Sequence, residues 1–386
     1  MTRKRIAVVA SHPIQYYVTL YRALAASPAL EIRVFFASRI GLDETFDPEM
    51  GVNVAWATDL TGGFTHEFLP EAESIRRIGF RSVDNPSVGA ALARFRPDAA
   101  VIHGYAMLTM LRALLWCRLH GVKAIMASDS SAHAARAGFR RWAKFVLVPL
   151  LLRQFGAALT MSDRAEAHLA SLGYPRAGMF RTPMMIDAGF WRARERRADI
   201  RAGKRAALGL SDEDFVFLSV GKLHPRKRMI DVLEALARSS RRCVLLIAGD
   251  GEEREMLQAF VARHDLDVRF LGFINIDGLP ALYSAADVLV HSAEIEQFGM
   301  VVLEAAVLGL PMVLSDRTGA IGPSSIARPD VNALVYPFGD IDALARCMAR
   351  LRDDDALRRR MAAASLGISA DHSGPKSVAS VVAASA

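Results

Sequence analysis

The feature that most constrains the fold of this chain is a strand–loop–helix–strand pattern in residues 286–315. Residues 287–292 are apolar and β-branched, residues 299–308 have a helical composition that ends on Gly309, and residues 311–315 are again apolar. Because successive parallel strands are joined through a helix, this order predicts a βαβ unit. The helix then begins at the carboxyl end of the first strand, where ligands bind in α/β proteins.

The same alternation of strands and helices extends over both halves of the chain. The predicted strands of the first half are residues 5–10, 30–37, 98–103, 123–128, 157–161 and, at an edge, 179–183. Those of the second half are residues 215–220, 243–248, 268–271, 287–292 and 311–315. The alternation predicts an α/β fold class with two doubly wound, Rossmann-like parallel-sheet domains. We expect these domains to face a central cleft.

Chain length and one shift in composition predict the domain boundaries. A chain of 386 residues exceeds what one hydrophobic core usually fills. Residues 192–205 contain seven arginines and lysines and few apolar residues, which is typical of a linker. The resulting prediction is an N-terminal domain (1–190), a linker (191–212), a C-terminal domain (213–366) and a terminal helix (367–386) that packs back on the N-terminal domain.

The cysteines and the apolar segments indicate the cellular compartment. Cys117, Cys243 and Cys347 lie far apart without metal-ligand spacing, which predicts a reducing environment and neither a disulfide framework nor a zinc site. The apolar segment 6–10 is too short for a signal peptide, and the run 145–152 is too short to span a bilayer. We therefore expect a cytoplasmic protein without a membrane anchor of its own.

A net charge of +7 indicates anionic partners. No basic stripe interleaved with aromatic residues is present, so nucleic acid is not expected. Phosphate-bearing ligands and the anionic inner leaflet of a membrane are favoured instead. Residues 136–155 place cations ahead of an apolar run, and this pattern fits a buried helix kinked at Pro149 slightly better than a membrane-facing patch.

A basic loop follows the first strand of the second half. The strand ends at Gly221, and Lys222 and Lys227 lie around the proline-containing turn that comes next. A lysine supplies a point charge that suits a diphosphate. Considered alone, a solvated basic loop would be the better interpretation.

Two glycine turns follow the next predicted strands. Gly249 and Gly251 form the first turn, which is weak evidence because many such turns need glycine for backbone reasons only. Gly272 begins the second turn and leads to Phe273 and Ile274, where main-chain groups could contact a nucleobase. An ordinary tight turn is the better interpretation of this second motif when it is considered alone.

Two glutamates flank the helix start in the opening βαβ unit. The free N–H groups and the helix dipole at residues 298–301 suit an anion such as a phosphate. Glu296 and Glu304 suit hydroxyls, because an ionised carboxylate only accepts hydrogen bonds. A helix cap and a solvent-facing charge are the alternative, but apolar neighbours predict that Glu304 is buried and needs partners. Hydroxyls beside phosphate indicate a sugar nucleotide or a sugar phosphate.

In combination these motifs resemble the nucleotide-sugar domain of glycosyltransferase family 4, which has the GT-B fold. The resemblance covers roughly residues 215–351 and is looser in the first half, at residues 11–16 and 182–190. In order, the motifs that carry it are Gly221-Lys222-Leu223 with Lys227, Gly249-Asp250-Gly251, Phe270-Leu271-Gly272, residues 282–287, and Glu296-x-Phe298-Gly299 with Glu304-Ala305.

The resemblance implies a retaining, metal-independent hexosyltransferase with a UDP- or GDP-sugar donor and no further cofactor. It implies that Lys222 and Lys227 hold the diphosphate, that Glu296 contacts the donor sugar, and that Glu304 binds the ribose. The implied catalytic residues are Glu296, Lys222 and Lys227. The implied donor-binding residues are Gly221, Gly249, Gly251, Phe273, Ile274, Phe298, Gly299, Met300 and Glu304.

The N-terminal domain is then expected to bind the acceptor, a glycan or a lipid-linked molecule of cell-envelope, exopolysaccharide or glycolipid biosynthesis. His12, Gln15, His103 and Asp129 follow its predicted strands and are the expected acceptor-side residues, and the irregular region 39–79 is expected to select the acceptor. The remaining histidines receive no role. Residues 353–355, three aspartates, are expected to cap a helix and not to bind a metal.

A non-catalytic sugar-nucleotide-binding scaffold or regulator of polysaccharide assembly is the alternative function. The intact set of charged donor-binding residues disfavours it. A GT-B phosphorylase or epimerase is a third possibility, and the spacing of the motifs disfavours it as well. The sequence does not name the donor sugar, its base or the acceptor.

Overall fold

The computed structural model describes residues 3–47, 49–128, 147–239, 243–372 and 374–386. The chain divides into two units. The first comprises Met1–Glu44, Thr58–Met185 and His372–Ala386, and the second comprises Thr45–Ala57 and Ile186–Asp371. In the part of the chain that is described, no helix combines the length and apolar character needed to cross a membrane.

Strands and helices alternate through both units. The strands are β1 (Lys4–Ala10), β2 (Leu30–Phe36), β3 (Thr45–Asp47), β4 (Val52–Val54), β5 (His66–Phe68), β6 (Ala99–His103), β7 (Lys123–Ser128), β8 (Ala157–Thr160), β9 (Met179–Arg181), β10 (Val216–Val220), β11 (Val244–Ala248), β12 (Val268–Phe270), β13 (Val288–His291), β14 (Met312–Ser315) and β15 (Ala333–Tyr336).

The helices named below alternate with these strands along the chain. They are α1 (Gln15–Ala26), α2 (Val88–Phe95), α3 (Leu108–His120), α4 (Asp163–Ser171), α5 (Ala188–Glu195), α6 (Arg197–Ala207), α7 (Met229–Ala237), α8 (Arg254–Arg263), α9 (Leu279–Ala285), α10 (Met300–Val307), α11 (Ile341–Asp353), α12 (Asp355–Ser369) and α13 (Gly374–Ser385).

The first unit contains a parallel sheet in the order β5-β2-β1-β6-β7-β8-β9. Side chains alternate between the faces of a strand, so Ala7 and Val9 join one core cluster while Ile6 and Val8 join the other. Burial on both faces explains why this strand is continuously apolar in sequence. The strand order reverses between β1 and β6, which makes the loops after these strands the switch point of the sheet.

The second unit contains a parallel sheet in the order β12-β11-β10-β13-β14-β15. Its strand order reverses between β10 and β13, so the loops after these two strands diverge from one point at the carboxyl edge. The predicted α/β class and the predicted doubly wound parallel sheets are confirmed.

The 45–57 hairpin, Thr45–Ala57, belongs to the second unit although it lies within the first half of the chain. Strands β3 and β4 pair antiparallel in it. Region 39–79, which has an irregular sequence pattern, contains the short strands β3, β4 and β5. The sequence-based prediction assigned the hairpin to the N-terminal domain, residues 1–190, together with the sequence around it.

The predicted linker, residues 191–212, is occupied largely by α5 and α6, which contact α9 within the second unit. Arg201 Nη2 lies 2.7 Å from Asp287 Oδ1, and Arg205, which is 1% exposed, donates to the Ala285 carbonyl oxygen at 2.9 Å. Cations at a helix C-terminus satisfy its free carbonyl groups. The arginine-rich composition of residues 192–205 therefore belongs to helices that pack within the second unit.

The C-terminal residues lie in two elements. Helix α12 continues through the predicted boundary at residue 366, and α13 contacts α1 and β9 within the first unit. Ser377 Oγ donates to the Pro183 carbonyl oxygen at 2.7 Å. Asp354 Oδ1 accepts from the Leu357 amide at 2.8 Å, so this aspartate caps α12 as predicted.

Candidate functional site

Lys227 and Glu296 meet at the carboxyl edge of the second sheet. They lie in the loops after β10 and β13, and these strands are neighbours at the switch point. Lys227 Nζ lies 2.5 Å from Glu296 Oε2. The Ser292 hydroxyl is 2.9 Å from the Lys227 carbonyl oxygen and 2.8 Å from that of Arg228, so it ties the two loops together. The pair is therefore held by the sheet topology and by local hydrogen bonds.

Glu296 is held in its ionised form. Burial raises the pKa of this carboxyl group, but the hydrogen bond from His291 and the charge of Lys227 outweigh it and lower the pKa to about 2. His291 Nε2 lies 3.1 Å from Glu296 Oε2. The sequence analysis gave His291 no role, although it is the last residue of β13 and lies five positions before Glu296. Its position at the carboxyl end of that predicted strand could have identified it as a candidate site residue.

The backbone around Glu296 forms the start of α10. Gly299 has φ 91° and precedes the first helical residue, Met300. A Cβ on Gly299 would lie 3.0 Å from the Glu296 Cγ atom, so a larger residue would press on this carboxylate. Phe298 is buried beside it. The predicted helix start is confirmed, and its first N–H groups have no intrahelical acceptor.

Glu304 lies inside α10 and is 2% exposed, so the predicted burial is confirmed. Its Oε2 accepts a hydrogen bond from Tyr283 Oη at 2.6 Å. Burial raises the pKa of this carboxyl group to about 7, despite the hydrogen bond from Tyr283. The role of Glu304 in ribose binding remains a prediction. The sequence analysis included Tyr283 in the 282–287 motif but did not pair it with Glu304, because the two residues lie 21 positions apart on different helices.

Lys222 is held by the 45–57 hairpin. Its Nζ lies 2.8 Å from Asp47 Oδ2 and 2.9 Å from Glu49 Oε2. Burial lowers the pKa of this ammonium group, but the two carboxylates outweigh burial and raise it. Arg226 Nη2 lies 2.9 Å from Glu49 Oε1. Four charged side chains were expected at the donor. Lys227 and Glu296 contact each other directly. Lys222 contacts the hairpin instead, and Glu304 contacts Tyr283.

The predicted glycine turns come together at the same sheet edge. The Gly249 amide donates to the Gly272 carbonyl oxygen at 2.7 Å. Gly249 has φ 143°, and a Cβ there would lie 1.9 Å from the Gly221 carbonyl oxygen. A Cβ on Gly251 would lie 2.9 Å from the Glu49 carbonyl oxygen. The turns after β10, β11 and β12 therefore contact one another closely, and the hairpin turn lies against Gly251.

The loop after β12 carries Phe273 and Ile274. The Phe273 ring lies edge-to-face with the ring of Trp56, with 6.3 Å between their centroids. Ile274 faces Gly278 in the following turn. Trp56 belongs to the 45–57 hairpin, and its proximity to this loop was not predicted.

The acceptor-side residues of the first unit follow β1 and β6, which adjoin at the switch point. His103 Nε2 lies 2.9 Å from Tyr21 Oη, and burial lowers the pKa of this imidazole to about 4, so it is neutral at physiological pH. His103 lines an apolar pocket that also includes Tyr17. His12 Nδ1 lies 2.9 Å from Ser11 Oγ, and burial lowers the pKa of His12.

Gln15 and Asp129 are the remaining residues predicted on the acceptor side. Gln15 is the first residue of α1, and its Oε1 is buried without a hydrogen-bond partner among the described residues. Asp129 lies outside the described residues, as do residues 136–146 of the segment considered for membrane contact. Within the described ranges, no group of three or more His, Cys, Asp or Glu residues could hold a metal ion.

Solved structures resemble nearly the whole chain. Anabaena HepE in complex with UDP is 16% identical, with a TM-score of 0.75 and 98% of both chains covered. The apo form of WaaB, a lipopolysaccharide outer core galactosyltransferase, is 17% identical, with a TM-score of 0.69 and 98% of both chains covered. The chain has the GT-B fold, as predicted.

Sequence comparison gives a family match in the second half of the chain and relatives of known name. Residues 201–366 match the family model for glycosyl transferases group 1. Alpha-D-kanosaminyltransferase of Streptomyces kanamyceticus is 27% identical over 276 residues, which are 68% of each chain. The lipopolysaccharide core biosynthesis glycosyltransferase LpsE of Rhizobium meliloti (strain 1021) is 34% identical over 160 residues, which are 41% of this chain and 45% of LpsE. The chain thus has group 1 glycosyltransferase homologues.

Proposed function

We propose that this protein is a retaining glycosyltransferase of family 4 that transfers a hexosyl unit from a nucleoside diphosphate sugar to an acceptor hydroxyl. The contact between Lys227 and Glu296 at the switch point of the second sheet carries the proposal. Both residues lie within the segment that matches glycosyl transferases group 1. A fixed cation beside an ionised carboxylate suits a ligand that has both phosphate and hydroxyl groups.

In the proposed reaction, the bond from the anomeric carbon to the diphosphate breaks while the acceptor oxygen bonds to the same face of the sugar. The proton of the acceptor hydroxyl passes to the departing diphosphate. Negative charge grows on that diphosphate, and a preorganised cation at Lys227 stabilises it most in the transition state. Glu296 orients Lys227 and accepts hydrogen bonds from the donor sugar. In this proposal the protein requires neither a metal ion nor a cofactor.

We propose a UDP- or GDP-sugar as the donor, because HepE has been solved in complex with UDP. The proposed acceptor is a glycan or lipid-linked molecule of cell-envelope polysaccharide synthesis, supported by the named roles of LpsE and WaaB in lipopolysaccharide synthesis. We also propose that the protein works in the cytoplasm, at the inner face of the membrane. The net charge of +7 supports this, since that surface is anionic.

A non-catalytic sugar-nucleotide-binding protein is the second candidate. The observation that favours it is the neutralisation of Lys222 by Asp47 and Glu49, which removes one of the two cations expected at the diphosphate. The two candidates differ in turnover. Only the transferase releases nucleoside diphosphate from a donor when an acceptor is present.

The first experiment is a thermal-shift panel of UDP-, GDP- and ADP-sugars, because a donor that binds only the folded state raises its stability. The second measures donor-dependent release of nucleoside diphosphate by wild type, Glu296→Gln and Glu294→Gln. Glu294 is exposed in the same loop and is the matched control. We expect Glu296→Gln to lower turnover by roughly 100-fold and Glu294→Gln to leave it unchanged. Turnover by Glu296→Gln at the wild-type rate would contradict the role of this residue.

A further inference from the structure

Trp56 in the 45–57 hairpin lies beside the loop predicted to contact a nucleobase. Its ring is 6.3 Å from that of Phe273, at an interplanar angle of 75°. Trp56 is 39% exposed, so part of its surface remains open although one side contacts Phe273. A large aromatic side chain that stays exposed at a ligand-binding edge offers a surface for a flat, apolar ring.

Asn275 fixes the backbone on both sides of Trp56. Its Nδ2 donates to the Ala55 carbonyl oxygen at 2.6 Å, and its Oδ1 accepts from the Ala57 amide at 3.2 Å. The same Oδ1 lies 2.9 Å from the amide of Ile276. One side chain of the predicted base-binding loop therefore sets where Trp56 lies relative to Phe273. The Trp56 backbone is therefore ordered before a ligand binds, and this lowers the conformational-entropy cost of binding.

The opposite end of the hairpin is fixed at the loop that carries the lysines. Asp47 and Glu49 hold Lys222, and Glu49 also holds Arg226. The hairpin thus spans from the basic loop after β10 to the loop after β12. These are the two loops expected at the diphosphate and at the base of a donor nucleotide.

From this placement we propose that Trp56 is a binding residue of the donor site, whose indole ring stacks on the nucleobase of the donor. Asn275 is the residue that positions it. This inference rests on the proposed nucleotide-sugar function. Because every base has a π-face, stacking on Trp56 would favour nucleotides over pyrophosphate without selecting one base.

The test compares the affinities of UDP, GDP and inorganic pyrophosphate for wild type, Trp56→Ala, Trp56→Phe and Phe46→Ala, measured by calorimetry. Phe46 is an exposed aromatic residue of the same hairpin and is the matched control. We expect Trp56→Ala to weaken binding of the nucleotide that wild type binds by roughly 10- to 100-fold, the range of base–aromatic stacking. Pyrophosphate binding should stay unchanged. Trp56→Phe should keep most of the affinity, and Phe46→Ala all of it.

Asn275→Ala tests the positioning role. We expect it to weaken nucleotide binding and to spare pyrophosphate binding. Combining it with Trp56→Ala should add little further loss, because both substitutions remove the same interaction. Full additivity of the two losses would overturn the role of Asn275.

Fluorescence provides a second measurement that does not need the alanine variant to fold. Nucleotide should quench tryptophan emission in wild type, and this quenching should be reduced in Trp56→Phe while binding persists. Equal nucleotide affinity in wild type and Trp56→Ala, or equal quenching in wild type and Trp56→Phe, would overturn the inference. Wild type that binds no nucleotide at all would instead overturn the proposed function, and the inference with it.

Discussion

Asp47 Oδ2 lies 2.8 Å from Lys222 Nζ, although 175 residues separate them in the chain. Glu49 reaches the same Nζ at 2.9 Å, so two carboxylates surround a lysine that was expected to face a diphosphate. A diphosphate and these carboxylates need the same ammonium group. Donor binding at Lys222 would therefore compete with the Asp47 and Glu49 carboxylates.

We expect the double substitution Asp47→Asn and Glu49→Gln to strengthen nucleoside diphosphate binding on the order of tenfold, about 1.4 kcal/mol. The substitutions leave Lys222 with its charge and remove the competing anions. Titration calorimetry at low and high salt measures the effect, which should shrink as salt screens the charges. Glu44→Gln, an exposed glutamate next to the hairpin, is the control. Weaker binding by the double variant would mean that the carboxylates assist donor binding.

Glu304 should make folding stability depend on pH near neutrality. Burial raises the pKa of Glu304 from its ordinary 4.5 to about 7, so the folded state binds this proton more tightly than the unfolded state does. The stabilisation is complete below pH 4.5 and is lost as pH rises through 7. At roughly 1.4 kcal/mol per pKa unit, the loss is on the order of 3 kcal/mol.

Glu304→Gln should remove this dependence, because the substituted amide does not titrate and can still accept from Tyr283. The free energy of unfolding is measured by denaturant titration at pH 5 and at pH 8.5. We expect the variant to gain stability relative to wild type at the higher pH, while the exposed Glu294→Gln should follow wild type. Parallel curves for wild type and Glu304→Gln would show that Glu304 does not titrate in this range.

Gly249 should tolerate no side chain. A Cβ at this position would lie 1.9 Å from the Gly221 carbonyl oxygen, and φ is 143°. We expect Gly249→Ala to lower the free energy of unfolding by roughly 2–4 kcal/mol, because backbone at two strand ends must move apart. Thermal denaturation measures the change.

Gly203→Ala is the matched control for that prediction. Gly203 lies in α6, and a Cβ there meets no atom within 4 Å. Alanine is the better helix former by roughly 0.5–1 kcal/mol, so this variant should be as stable as wild type or slightly more stable. Similar destabilisation by both substitutions would contradict the tight contact at Gly249.

The parallel sheets could be predicted because their signals are local. The apolar run of β1 and the strand–glycine turns at Gly221 and Gly249 each lie within about ten residues. The packing of residues 192–205 could not be predicted for the opposite reason, since composition does not reveal that Arg201 and Arg205 bind the carbonyl end of a helix about 80 residues away.

The sequence by itself determined that two parallel α/β sheets form and that Lys227 and Glu296 lie in loops at a carboxyl edge. Periodicity and strand order are enough for both, because side-chain alternation and right-handed crossovers restrict the topology. Only the tertiary structure decided which partners these charges meet: His291 for Glu296, Tyr283 for Glu304 and the 45–57 hairpin for Lys222. The choice of partner depends on through-space distance after folding, which spacing along the chain does not encode.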